Sequence, residues 1–248
     1  MAVAGKITIT EPVILAIETS GTCGSVSLVA PGHCIAEYSL CSKTTHSRRL
    51  LAGIDWIMSE AGIDWPQING IAVALGPGSF TGLRIGLSTA KGLAMASCAP
   101  LLGIPTLDAL AYQLFATPHQ ICPLLDARKQ EVYTAFYQGD SNGLPHRTSE
   151  YMVITPEKLA EKITAPTVFI GEGLTVYGEY LEEKLGKLAL LAPAEVFAYR
   201  AASVGMLAIE RWRAKDFLSP AKTVPIYVRL SEAELNRNKY PSPAKALL

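Results

Sequence analysis

Short apolar runs separated by polar turns fill most of the chain, and the spacing of apolar positions alternates between two and about 3.6 residues. Residues 13–29, VILAIETSGTCGSVSLV, predict strand, turn, strand, and CIAEYSL after them a third strand. From about Ser47 to Ala61, Leu50, Ile54 and Ile57 recur on one helical face. GIAVAL is a buried strand, followed by a glycine-rich loop and a helix over 83–97 whose Leu83, Leu87, Ala90 and Ala94 repeat at helical spacing. PLLGI is a further strand and LDALAYQLF a helix. The same order then starts again. ICPLLDARKQEVYTAFYQ is strand, turn, strand, and SEYMVI a third strand. Thr155 and Pro156 open a helix in PEKLAEKI, because a hydroxyl caps and a proline suits the first turn. TVFIGEGL is a strand with a glycine turn, TVYGEYLEEKL a helix, LALLAP a strand and AYRAASVGMLAIERWRA a long helix.

Both halves therefore read βββαβαβα. One repeat of about 110 residues is too long for a solenoid unit and predicts two similar α/β lobes. Two lobes that each open with strand, turn, strand match the actin-like arrangement (the ASKHA, ribonuclease H-like class), in which the opening turns face each other across a cleft. ATPHQ, with a proline and few apolar residues, places the boundary between lobes of residues 1–117 and 118–248. The tail from Asn236, with two prolines and no periodicity, is expected to be loose unless a partner orders it.

Apolar residues make up 49% of the 248-residue chain and charged ones 18%, enough for a good core with apolar surface to spare. The formal net charge of zero argues against the whole protein being a nucleic-acid binder. From Tyr199 onward, nine Lys/Arg stand against four Asp/Glu, which is either a weak basic patch or a solvated surface. Five cysteines with no CxxC spacing are expected to be reduced thiols. No apolar run is long enough to span a membrane, and an acid and a proline interrupt the start where a signal peptide needs its apolar core, so the cytoplasm is expected.

ALGPGSFTGLRIG carries the strongest local signal. Its loop, Gly76, Pro77, Gly78, Ser79, Phe80, Thr81 and Gly82, lies between strand and helix, where free N–H groups bind anions. The competing reading is a structural turn capped by Ser79 or Thr81. A nucleotide cleft needs small residues in both opening turns and carboxylates for magnesium. The first turn, IETSGTCGS, has Gly21, Gly24 and Glu18, whereas the second, LDARKQEV, has no glycine and three bulky residues, Arg128, Lys129 and Gln130. Asp126 there reads as a turn-former as readily as a ligand. GEGL at 171–174 is compatible with a remnant of a third cleft turn. None of the four histidines pairs with another at i, i+4, and no G-x-S-x-G occurs, so neither a zinc peptidase nor a serine hydrolase is indicated. The expectation is no catalytic residue, no metal and no cofactor; the alternative is a metal-dependent peptidase-like enzyme or a small-molecule kinase. A second stripe on the 83–97 helix, Arg84, Ser88, Lys91 and Met95, points outward, and Leu51, Asp55 and Met58 lie off the apolar face of the first helix. These residues form either half of a helix–helix contact or ordinary core and solvated surface.

ILAIETSGTCGSVSLV, THSRRLL, LGPGSFTGLRIGLSTAKGLA, LLDARKQEVYTAFY, VFIGEGL and PIYVRL occur in this order across nearly the whole chain, and together they resemble the TsaB (YeaZ) family. The resemblance implies a bacterial, cytoplasmic protein needed to form threonylcarbamoyladenosine at position 37 of tRNAs that read ANN codons. It implies a degenerate paralogue of the transferase subunit TsaD, which activates TsaD with TsaE, pairs through the two helices, forms a homodimer when TsaD is absent and meets tRNA only in the complex. TsaD holds a metal partly through a histidine pair on its first helix; the matching place here has His46 alone. Glu18 stands where the family usually has Asp.

Overall fold

The computed structural model describes residues 11–41, 46–193 and 199–228, without the side chains of 46–48. His46 as a side chain, and the tail from Asn236, lie outside the described residues.

The first sheet contains β1 (Val13–Glu18), β2 (Cys23–Ala30), β3 (His33–Cys41), β4 (Ile68–Gly76) and β5 (Leu101–Pro105), in the order β3-β2-β1-β4-β5. The first three strands run antiparallel as a meander, and β4 and β5 join parallel to β1. The second sheet repeats this order. β6 (Gln120–Asp126) is central, β7 (Val132–Thr134) and β10 (Met152–Ile154) lie antiparallel on one side, and β11 (Thr167–Ile170) and β12 (Ala189–Leu191) parallel on the other. A small hairpin, β8 (Tyr137–Gly139) and β9 (Pro145–Arg147), is inserted between β7 and β10 and pairs with β6. The fold is the two-lobed α/β actin-like class, each sheet having a three-strand meander followed by parallel crossovers.

Helices α1 (His46–Ala61) and α2 (Phe80–Ser97) cover one face of the first sheet. Leu50, Ile54 and Ile57 of α1 and Leu87, Ala90 and Ala94 of α2 share one core with β1, β2 and β4. Both helices follow right-handed crossovers between parallel strands, so they run parallel, side by side. Thr155 caps α4 (Pro156–Ala160) by accepting the Lys158 N–H at 3.4 Å, and α5 (Leu174–Leu185) follows β11.

The last helix of each half departs from the simple repeat. α6 (Ala201–Arg213) lies on the opposite face of the first sheet, burying Ala201, Val204, Ala208 and Ile209 against Ile14, Ala16, Ala72 and Leu102. α3 (Thr106–Tyr112) turns Leu107, Leu110 and Ala111 into a core with Ile121, Leu125 and Tyr137 of the second lobe. A cut at 117/118 therefore separates the two sheets but divides both cores. The cysteines also differ from expectation. The β2–β3 register sets Cys23 directly opposite Cys41, and the two form a disulfide, while Cys34, Cys98 and Cys122 are free.

Candidate functional site

The glycine-rich loop is built against the first turn. The Ser79 N–H donates to Ser20 O at 2.6 Å, and Thr19 Oγ1 donates to Gly82 O at 2.8 Å. Ser79, not Thr81, is the N-cap of α2, accepting the Gly82 N–H at 3.3 Å. Gly76 and Gly78 have φ of 107° and 157°, open only to glycine without strain. A Cβ on Gly82 would overlap Thr19 O, and one on Gly86 would overlap Thr19 Oγ1. The glycines thus let the start of α2 sit directly on the backbone of the first turn. The N–H groups of Ser79, Gly82 and Leu83 are all spent on oxygens of this chain.

The cleft turns are closed in the same way. The ring of Tyr199, 7% exposed, lies across Gly21, where any Cβ would overlap it. Its hydroxyl is buried without a well-formed hydrogen bond, and the Glu172 carboxylate stands beside it. Burial, then that carboxylate, pushes the phenol well above its ordinary pKa. Glu18 is fully buried with Oε1 accepting the Ser20 N–H at 2.6 Å; burial pushes its carboxyl up to about 7. Burial raises the Glu172 pKa as well. On the second turn Arg128, Lys129 and Gln130 all adopt positive φ, 54° to 61°, and Asp126 holds the turn by accepting the Arg128 N–H at 2.8 Å. On the third, Gly173 N–H donates to Leu124 O at 2.9 Å. All three turns carry carboxyl groups and none presents an open glycine cradle, so a polyphosphate would meet side chains and like charge. Among the described residues no three His, Cys, Asp or Glu are placed to share a metal ion. Nothing in the sequence pattern singled out Tyr199, which reaches Gly21 only because α6 crosses to the first sheet.

The outer surface of α1 and α2 is open. Leu51 and Met95 are 53% and 70% exposed, and Asp55 and Ser88 are exposed with them. Met58 is a correction: it is 6% exposed and belongs to the core under α1, because the inward face of that helix is wider than the Leu50–Ile54–Ile57 stripe. Of the small residues on α2, Gly86, Ala90 and Ala94 face their own sheet, while Ser88, Gly92 and Ala96 face outward. A Cβ on Gly92 would have nothing within 4 Å. Arg84 and Lys91 are engaged by a segment that no periodicity or motif predicts there. Lys91 Nζ donates to Thr223 O at 2.7 Å, Arg84 Nε donates to the Tyr227 hydroxyl at 3.3 Å, and the Arg84 guanidinium lies 3.7 Å from the Phe80 ring centroid.

The profile of the family described as "TsaD: tRNA N6-adenosine threonylcarbamoyltransferase" matches residues 40–237. The tRNA threonylcarbamoyladenosine biosynthesis protein TsaB of Bacillus subtilis (strain 168) is 31% identical over 224 residues, 89% of this chain and 96% of that protein. TsaB of Escherichia coli (strain K12) is 31% identical over 223 residues, 87% of this chain and 94% of that protein. Among solved structures, YeaZ from Pseudomonas aeruginosa superposes with a TM-score of 0.75 at 27% identity, covering 87% of this chain and 99% of that one.

Proposed function

The chain belongs to the TsaB (YeaZ) family of tRNA threonylcarbamoyladenosine biosynthesis proteins, and on that premise we propose that it serves this modification as a non-catalytic binding subunit in the cytoplasm. Its partner in this reading is the transferase TsaD, with TsaE joining the pair, a homodimer forming when TsaD is absent, and tRNA engaged only through the complex. The transfer itself, attack of the adenine N6 amine on the threonylcarbamoyl carbonyl, belongs to TsaD. The likeness to the transferase profile gives a shared fold, and fold alone does not carry activity.

The observation that supports this reading is the closed cleft. Tyr199 lies on Gly21, buried or half-buried carboxyls occupy the first and third turns, and the N–H groups of Ser79, Gly82 and Leu83 are bonded to oxygens of this chain. What the fold leaves available is the α1–α2 surface, with Leu51 and Met95 exposed and the small residues Ser88, Gly92 and Ala96 allowing another backbone to approach.

The test is size-exclusion chromatography with light scattering, with and without TsaD from the same organism. Leu51→Glu and Met95→Arg are expected to weaken association by tenfold or more with an unchanged circular dichroism spectrum, since a charge stranded in an interface core costs several kcal/mol. Threonylcarbamoyl transfer by this chain alone, or full association by both variants, would overturn the reading.

A further inference from the structure

After α6 the chain does not stop at the sheet it covers. Leu218 N–H donates to Leu101 O at 2.8 Å, forming a bridge with β5, the edge strand of the first sheet. The chain then passes round that edge to the opposite face, where the Ile226 N–H donates to Leu75 O at 2.7 Å. Leu218 and Ile226 pack onto the core under α1 and α2. Two glycines make room for this strap: a Cβ on Gly103 would meet Leu218 at 2.5 Å, and one on Gly76 would meet Ile226 O at 3.0 Å. Thr223 lies at Lys91 and Tyr227 at Phe80 and Arg84, so the strap runs antiparallel along α2. It occupies the flank of α2 toward β5, while α1, over β2 and β3, occupies the other.

The open surface is therefore three elements wide. The strap adds Val224, 68% exposed, and Tyr227, 37% exposed, beside Phe80 at 44%. On α2 and the strap the charge has one sign, whereas α1 contributes the exposed Asp55. Between Trp65 and Leu107, and again between Phe217 and Val228, the sequence has no Asp or Glu, while Arg84, Lys91 and Lys222 supply cations. Arg84 and Lys91 are held by neutral oxygens, a phenol and a carbonyl, which orient them and leave their charge in place. A surface that is apolar at Val224, Phe80 and Tyr227 and positive between them is complementary to apolar side chains interleaved with carboxylates.

We propose that the strap Ser219–Val228 is a fixed third element of the docking face, and that its occupant is a partner helix carrying carboxylates among apolar residues. The proposal rests on the binding-subunit reading above and adds the strap and the partner's chemistry to it.

Val224 gives the cleanest test, because its exposure allows either charge without disturbing the core. Val224→Glu and Val224→Lys are compared with wild type and with Leu51→Glu for affinity to TsaD by titration calorimetry, each variant checked for an unchanged melting temperature. The expected result is at least tenfold weaker binding for Val224→Glu and no more than about threefold change for Val224→Lys, with Lys222→Glu weakening in the same direction as Val224→Glu. If Leu51→Glu weakens binding while both Val224 variants bind as wild type, the strap lies outside the interface and this proposal fails alone. Equal losses for Glu and Lys overturn the acidic partner. An effect confined to self-association overturns the choice of a different chain as occupant. No binding of wild type to TsaD removes the binding-subunit reading itself.

Discussion

Gly86→Ala and Gly92→Ala place the same methyl group on one helix, six residues apart, and are expected to move stability in opposite directions. In a helix interior alanine is favoured over glycine by about 1 kcal/mol. Gly92 is exposed and its added Cβ would have nothing within 4 Å, so this gain is realised in full. Stability should rise by about 1 kcal/mol, and the melting temperature by roughly 2–4 °C for a chain of this size. At Gly86 the new Cβ would overlap Thr19 Oγ1. Thr19 is 1% exposed and spends that hydroxyl on Gly82 O at 2.8 Å. Turning it away leaves a buried hydroxyl unpaired, at about 1–3 kcal/mol, and crowding a filled site adds about 1–3 kcal/mol. Against the propensity gain, Gly86→Ala should lose about 1–5 kcal/mol. Urea unfolding followed by far-ultraviolet circular dichroism reads both, with the slope checked for constancy. In a Thr19→Ala background the Gly86→Ala penalty should shrink, because the colliding oxygen has gone. A Gly86→Ala protein as stable as wild type, or a penalty unchanged by Thr19→Ala, would refute the tight seat of α2 on the first turn.

Met58→Glu should unfold the protein or cost several kcal/mol, since it buries an unpaired charge in a core that is 6% exposed, whereas Leu51→Glu at 53% exposure should leave the melting temperature within about 2 °C; matched melting curves for the two would contradict the placement of Met58. Glu18 holds its proton in the folded state up to about pH 7 and releases it near 4.5 when unfolded, so between these values the native state binds the extra proton. Its contribution is thus most favourable below about pH 4.5 and declines as pH rises to about 7, by about 3 kcal/mol in all. Glu18→Gln should flatten that decline in urea midpoints taken from pH 5 to 8, and an identical slope would place the titration elsewhere. Thiol titration in denaturant without reductant should find the three free cysteines, Cys34, Cys98 and Cys122, and all five after reduction; five at the outset would mean that Cys23 and Cys41 are not joined.

Periodicity and turn chemistry were sufficient for the local structure. The apolar run of β1, the alternation in β2, the helical repeat of Leu83, Leu87, Ala90 and Ala94, the Thr155 cap, the choice of Ser79 or Thr81 as the cap of α2 and the repeated order of elements in the two halves are all properties of neighbours in sequence. They also brought the glycine loop and the two outward helices into view as the places to look. What an apolar face packs against is a different matter, because burial is non-directional and a stripe of Ala, Val and Ile fits either sheet. So the repeat suggested that α6 belongs to the second lobe, while the structure sets it on the first, where Gly205 lies so close to Val29 that a Cβ would come within 2.5 Å. That one long-range choice brings Tyr199 over Gly21 to close the cleft. It also delivers the chain to the edge of β5, so that Thr223 and Tyr227 reach Lys91 and Arg84, residues more than 130 positions away. The burial of Met58 and the pairing of Cys23 with Cys41 follow the same rule: each depends on how wide a face the neighbouring element covers or on strand register, quantities set by the packed sheet and not by any window of sequence.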